Sequence, residues 1–455
     1  MEQRCVVRQQ MLTEYNVDKA ELRNAKLLYL LMSVLFIADW VMPQYFGVHI
    51  GFDFTSTRVL NLLILVYFLM NRKVGNHFFK SMLDVQVTPY LLLYMFVMVY
   101  TTVLRVNVNT FFLNFLDILT FYMVYYGVRY VIGVRKAIDW SVKVAWFIGF
   151  YGLVEYVLGY SPMVKLLLTL PYSSVFSVYR SGSYRIMGPC GHSIGYGLML
   201  ELLIVLICID YEKDEMNLFK HPFLYCVLMI NMFLTGSRLV LAFAIFESIF
   251  IIIFSKRERR KKTIFVLVVL LIGFVVFEMA IFKTSLGQYI MMQITSLVDE
   301  ALGTEYAALF GADTTWLADS TSYRGHLTKI FGVEWLNPFV GQGANASLGF
   351  EIDGAYLKSI DNFYVALYIR YAYPGLVTYV LFFGATIICM VKKYFKHHSG
   401  VCMALAIGMT AYCVSLYWVD YLQTTKYMYI LIAIFFAFCD VKLRSGDSLL
   451  VSEED

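Results

Sequence analysis

Apolar residues run along this chain in long stretches separated by short polar turns. A membrane-crossing helix needs about 20 mostly apolar residues. Runs of roughly that kind occupy 27–46, 54–71, 85–104, 110–132, 140–159, 193–210, 223–236, 239–255, 263–282, 363–391, 402–418 and 427–439. The pattern predicts an all-α, polytopic membrane helix bundle of about twelve transmembrane helices. Its parts are an N-terminal segment (1–26), the bundle (27–445) and a short tail (446–455). Two longer polar segments interrupt the bundle, near 160–192 and 283–361. The runs lack the period-2 alternation over ten-residue segments that an outer-membrane barrel shows.

Orientation is read from lysine and arginine. With the N-terminus in the cytoplasm, about 23 of them fall in inside segments against about 11 outside, the densest inside group being Lys-Arg-Glu-Arg-Arg-Lys-Lys at 256–262. An even number of spans returns the C-terminus to the cytoplasm. The runs 223–236 and 427–439 are short, which leaves a ten-span version open. Both long polar segments then face outward. The first apolar run serves as an anchor in its own right, so no cleavable signal is needed. The segment 283–361 mixes Gly, Asp, Thr, Trp and Tyr. That composition belongs to a folded extracytoplasmic element, being too rich in aromatics for a disordered linker.

Composition agrees with the pattern. Of 455 residues 60% are hydrophobic and 15% charged, and mean hydropathy is +0.65, whereas soluble domains carry about a quarter charged residues. A net charge of +4 is too small and dispersed for a nucleic-acid footprint. The eight cysteines include no Cys-x-x-Cys pair and no metal-ligand spacing. Neither a Gly-rich phosphate loop nor the internal repeat of a transporter is visible.

Residues suited to chemistry gather on the outer side. Arg180 and Arg185 precede a helix starting near Ser193. A helix N-terminus attracts phosphate, and guanidinium groups grip it bidentately; interfacial arginines also bind lipid headgroups. Next, Thr235-Gly236-Ser237 breaks an apolar stretch of over thirty residues and puts Arg238 at a tight turn, a costly place without a partner. Snorkelling to the headgroups is the alternative.

In the second outer segment, Thr321 or Ser322 can cap a short amphipathic helix with Tyr323, Leu327, Ile330 and Phe331 as its apolar stripe. Arg324 and His326 lie about 200° apart on such a helix and do not face one site together. Arg324 is the candidate there, with His326 second. Asn-Pro-Phe-Val-Gly-Gln-Gly at 337–343 is a turn signal. Asp361-Asn362-Phe363-Tyr364 opens a long apolar helix carrying Arg370 about two turns in. Asp361 either caps that helix, the commoner fate of such an Asp, or acts as a base at its mouth. Asp39, Asp117, Glu155 and Glu278 fall in the outer halves of their spans, with Glu201 and Glu247 nearer the middle. Such acids are usually paired; some of these are expected to neutralise arginines and stabilise the fold, and none is assigned a catalytic role.

Taken in order, these motifs resemble the bacterial O-antigen polymerase and ligase superfamily. The elements are Arg185 with Gly188, Thr235-Gly236-Ser237-Arg238, Ser322-Tyr323-Arg324, Asn337-Pro338 with Gly341 and Gly343, and Asp361-Asn362-Phe363-Tyr364 followed by Gly375. They cover roughly 180–385, and the flanking helices add only topology. The resemblance implies a glycosyltransferase in the cytoplasmic membrane that works without a metal or other cofactor. Its partners would be undecaprenyl-diphosphate-linked oligosaccharides as donor and acceptor, membrane lipids and other polysaccharide-assembly proteins, but no nucleic acid. The ligase branch usually has His before the Asn of the last motif; Asp361 in its place points to a Wzy-like polymerase of capsule, exopolysaccharide or O-antigen repeats.

On that basis Arg185, Arg238 and Arg324 are expected at the diphosphates, supported by Arg180, Arg370 and Asn362, where fixed cations stabilise developing negative charge. Asp361 is the first expected proton acceptor, with His326 and His192 in reserve. Tyr184, Tyr306, Trp316 and Trp335 suit sugar stacking, although interfacial aromatic belts have the same composition. A ligase and a lipid-linked-sugar flippase are the competing expectations.

Overall fold

The computed structural model describes residues 19–50, 53–171, 179–180, 183–311, 323, 326–343, 350–352, 355–357, 360–420 and 424–443. Arg324, Thr321, Ser322, Trp316 and the 446–455 tail lie outside the described residues, as does the side chain of Arg180.

The described chain is almost entirely helical. Its helices are α1 (Lys19–Val41), α2 (Ser56–Met70), α3 (Arg72–Asp84), α4 (Thr88–Arg105), α5 (Val108–Tyr126), α6 (Val134–Leu158) and α7 (Pro162–Leu167). They continue as α8 (Ser193–Ile207), α9 (Pro222–Leu234), α10 (Arg238–Phe254), α11 (Arg257–Ile281), α12 (Ser285–Leu302), α13 (Phe363–His397), α14 (Gly400–Ser415) and α15 (Thr425–Phe438). Among the described residues strands occur only as four two-stranded antiparallel hairpins: β1 (Gly47–His49) with β2 (Asp53–Thr55), β3 (Tyr179–Arg180) with β4 (Ser183–Tyr184), β5 (Ile209–Asp210) with β6 (Glu215–Met216), and β7 (Phe350–Ile352) with β8 (Ala355–Leu357).

Six helices among the described residues are long and apolar enough to cross a membrane: 24–41, 88–105, 114–132, 134–158, 257–281 and 363–397. This is the architecture of a membrane protein. Several of the other apolar runs form helices shorter than the hydropathy pattern suggests. α8 has 15 residues, about 22 Å against a hydrocarbon layer of about 30 Å. The 193–210 run loses its last residues to the hairpin that begins at Ile209.

Burial sorts the helices into layers. α8, α14 and α15 are buried along nearly their whole length, and α15 packs against α5, α6, α8 and α14. They fill the centre because they are apolar on every side, so no polar face needs water. α11 is equally apolar but only 6% of its most apolar window is buried, which leaves its sides for lipid.

The bundle has two chemically different ends. At one, charges pair between loops: Arg135 with Glu212 at 2.8 Å, Glu215 with Lys256 at 2.7 Å and with Arg259 at 2.9 Å, and Arg129 with Asp440. At the other end α1 finishes and α8, α10, α13 and α15 begin, as shown by Lys426 Nζ donating to Met42 O at 2.8 Å and Ile186 N–H to Leu234 O at 3.3 Å. This second end carries Arg58, Arg185, Arg238, Arg370 and Lys426.

One expectation fails outright. The 363–391 run is not one continuous helix: α13 is broken at Ala372, whose φ of 54° and ψ of −163° are non-helical. Pro374, two residues on, has no N–H to donate and its ring clashes with the carbonyl four residues back. The freed groups are satisfied from 337–343: Gln342 N–H donates to Ile369 O (2.8 Å), Gly343 N–H to Arg370 O (2.9 Å), and Tyr373 N–H to Pro338 O (3.1 Å). Arg105 of α4 grips the same segment from behind, Nε to Gly341 O at 2.8 Å.

Candidate functional site

The site grows from one buried carboxylate. Glu155, near the end of α6, is wholly buried. It accepts three hydrogen bonds, from Tyr184 Oη (2.9 Å), Met187 N–H (2.9 Å) and Gly188 N–H (3.0 Å). These bonds fix the segment leaving the β3–β4 hairpin, and Arg185 lies inside it. Gly188 has φ +52° and a Cβ there would sit 2.5 Å from the Tyr196 ring, so only glycine fits the turn. The Tyr184 hydroxyl is pushed up by burial and then by the Glu155 charge. This side chain is buried and committed, which removes it as an open stacking surface for sugar.

Arg185 reaches across to the second motif. Its Nε donates to Thr235 O at 2.7 Å, and Gly236, at φ +60°, clears space for it, since a Cβ would meet Arg185 Nε at 3.2 Å. Arg185 is 8% exposed, and its Nη2 has no hydrogen-bond partner among the described residues. Burial brings the group down to about 10, opposed by Tyr289; it stays charged at neutral pH. A buried cation with an unused donor is poised to take an anion.

Arg238 stands on the far side of the same turn as the first residue of α10. Its Nη1 donates to Ser296 O of α12 at 3.3 Å. Asp299, three residues on, binds Thr304 Oγ1 (2.6 Å), Tyr306 N–H (2.8 Å) and Ala307 N–H (2.7 Å). Although burial acts to raise its carboxyl, these donors and Arg238 hold it below the usual range. Tyr289 and Ser296 are seven residues apart and share one helical face, so α12 lies across both arginines. Tyr289 also packs edge-on against Phe233 of α9, with centroids 5.7 Å apart. α12 has no explicit signature along the chain, because its polar face reads as part of a loop.

His192 is the N-cap of α8, where its Nδ1 accepts from Ile194 N–H at 3.1 Å. With Nδ1 occupied as an acceptor, the ring proton belongs on Nε2. Burial first, then the neighbouring Arg185, push it down to about 4. At neutral pH it is an uncharged ring with an N–H donor on Nε2.

The remaining candidates form a second grouping on α13. Asn362, not Asp361, caps this helix: Asn362 Oδ1 accepts from Val365 N–H at 3.0 Å, while Asp361, one residue earlier, is exposed. Arg370 pairs with Asp420 at 3.6 Å. A small core of Leu327, Ile330, Leu336 and Ile360 covers Val365 and Ile369, with Tyr323 and Phe331 packed against it. That is the expected apolar stripe, although residues 328–332 form a 3-10 turn. His326 Nδ1 is buried there without a hydrogen-bond partner among the described residues. Tyr306 and Trp335 are about half exposed. Residues 416–420 run between the two groupings: Leu416 O and Val419 O accept from Phe363 N–H, both at 3.0 Å, and Trp418 lies 5.9 Å from Phe243 of α10.

Sequence reasoning passed over Arg58 and Lys426. Both line a polar cavity with Asp39 and Asp117. Arg58 falls within the 54–71 apolar run and Lys426 directly before the 427–439 run, and those positions were the available signal.

No protein-family model matches this chain, and no curated protein matches it with significant similarity.

Proposed function

We propose that this protein is a membrane glycosyltransferase which polymerises undecaprenyl-diphosphate-linked oligosaccharide repeat units on the outer face of a bacterial cytoplasmic membrane. In this reading the chain crosses the membrane twelve times with both termini inside, and the arginine-bearing end of the bundle faces out. The observation that carries the proposal is the meeting of Arg185 with the Thr235–Ser237 turn, its buried Nη2 unpaired, while the same turn presents Arg238.

Cleaving a sugar–diphosphate bond puts negative charge on the leaving oxygen. A guanidinium already fixed in a dry site stabilises that charge without reorganising. Arg185 is held by Thr235 O in space that Gly236 leaves open, so its guanidinium is fixed before any ligand arrives. Arg238 supplies a second positive charge at the head of α10, where unpaired helix N–H groups add their dipole. His192, neutral, supplies an N–H donor beside them. The attacking sugar hydroxyl needs a proton acceptor; Asp361 is the carboxylate assigned, since Asn362 makes the capping bond in its place.

Substituting Arg185 or Arg238 by Ala in a cell where this is the sole copy tests the reading through glycan length. Loss of long chains with accumulation of single repeat units, at normal protein levels, is expected; Lys165→Ala serves as control. Long chains surviving either arginine substitution would remove that residue from the site. Full-length polymer left on its carrier would instead indicate the ligase.

A further inference from the structure

A polar cavity of about 20 Å³ opens at the arginine-bearing end, among α1, α2, α5 and α15. Its wall includes Asp39 from α1, Thr57 and Arg58 from α2, Asp117 and Thr120 from α5, and Lys426 from α15. Asp39 is wholly buried, yet neither of its carboxylate oxygens has a hydrogen-bond partner among the described residues. Arg58 is committed to Asp117, Nε to Oδ1 at 3.1 Å and Nη2 to Oδ2 at 3.0 Å. Lys426 donates to Met42 O and acts on Asp39 through space. A buried carboxylate lacking donors is costly. The cavity is therefore short of one hydrogen-bond donor.

Charge and size restrict what supplies that donor. The wall carries two carboxylates and two cations. An entering anion meets Asp39 and Asp117, and an entering cation meets Arg58 and Lys426. A hydroxyl suits both, because it donates to Asp39 and accepts from a cation or from Thr57. The volume holds one water-sized group, so a larger molecule inserts a single arm.

We propose that this cavity seats one hydroxyl or hydroxymethyl group of a neutral sugar, with Asp39 as the acceptor, and acts as a sugar-specificity subsite. The proposal rests on the glycosyltransferase reading. A physical link joins the two places: Cys190, in the turn that follows Arg185, has its Sγ 3.4 Å from Tyr427 Oη, and Tyr427 adjoins Lys426. Trp40, next to Asp39, stacks on Tyr427 with centroids 5.4 Å apart. A site built to bond a hydroxyl strongly rejects the analogue lacking it.

The test is ligand-induced thermal stabilisation of the full chain in detergent, which rises with occupancy. Probes are glucose, galactose, N-acetylglucosamine, rhamnose and, separately, inorganic pyrophosphate. At least one sugar is expected to raise the melting temperature. Asp39→Asn and Thr57→Val should each weaken that sugar's apparent affinity, the first by about tenfold or more, while leaving the pyrophosphate response intact. Arg185→Ala should do the reverse. A wild-type protein that no sugar stabilises, or a sugar response unchanged in both Asp39→Asn and Thr57→Val, overturns the proposal. Thr57→Val keeps every charge, so it decides the matter should Asp39→Asn fail to fold. An Asp39-dependent sugar response without any pyrophosphate response would sink the diphosphate reading and leave the hydroxyl subsite standing.

Discussion

Gly341 lies so close to Arg370 that a Cβ added to it would sit 2.1 Å from the Arg370 carbonyl oxygen. The contact exists because α13 is broken there. Gln342 and Gly343, the next two residues, donate their N–H groups to the carbonyls that the break released. Irregular backbone at membrane depth persists only where such groups are satisfied. The Asn337–Gly343 motif is thus a backbone plug for an interrupted helix.

Gly341→Ala is expected to destabilise the protein by about 2–3 kcal/mol, because backbone rather than a flexible side chain blocks the new methyl. Gly343→Ala meets open space but keeps a φ of +87°, for a cost of about 1–2 kcal/mol. Thermal unfolding in detergent gives the order. A Gly341→Ala protein as stable as wild type would mean that the plug is not docked.

Ala372 occupies backbone space that is almost reserved for glycine, at φ 54° and ψ −163°. Ala372→Gly should raise stability by about 1 kcal/mol, the relief of strain exceeding the entropy glycine adds to the unfolded chain. A marked fall in melting temperature would show a continuous α13.

Tyr184→Phe removes one donor from Glu155 and keeps the ring. The expected loss is about 1–2 kcal/mol, and on the proposed function glycan polymerisation falls in parallel because Arg185 is the next residue. Glu155→Ala frees three donors at once and should cost more, about 3 kcal/mol or above. Expression level and unfolding midpoint separate the two effects.

His192 sets a pH dependence. Burial, then Arg185, lower its folded value from the ordinary 6.5 to about 4, so the unfolded chain binds the extra proton first. Its contribution is complete above pH 6.5 and is lost as pH falls towards 4. The loss is on the order of 3 kcal/mol. His192→Asn keeps an N-cap acceptor and should flatten stability across that window. An unchanged pH profile in the variant would place the acid sensitivity elsewhere.

Arg185→Lys retains the positive charge but loses the planar fork. Nε holds Thr235 O while Nη2 keeps its donors without a partner among the described residues, and an ammonium gathers all its donors on one nitrogen instead of spreading them over a planar fork. On the proposed polymerase function, polymerisation in Arg185→Lys is therefore expected to fall nearly as far as in Arg185→Ala, at least tenfold. Near-normal glycan ladders from the lysine variant would reduce Arg185 to a simple point charge.

The apolar runs by themselves determined that this is a helical membrane protein, because covering so much hydrocarbon demands lipid whatever the packing. Local chemistry also marked the two helix starts that matter most, at His192–Ser193 and at Thr235–Arg238, since polar residues interrupt apolar runs there. Tertiary structure decided the rest. Pro374 was visible in the chain, but membrane helices tolerate proline, and whether this one broke depended on donors arriving from Gln342 and Gly343. The cap fell to Asn362 rather than Asp361 through a one-residue choice that only the docking of α13 on residues 416–419 settles. Asp39, Arg58, Asp117 and Lys426 come from four helices, and only the packed bundle shows which of those charges share a wall. Hydropathy is a sum over neighbours in sequence, whereas a site is made by neighbours in space.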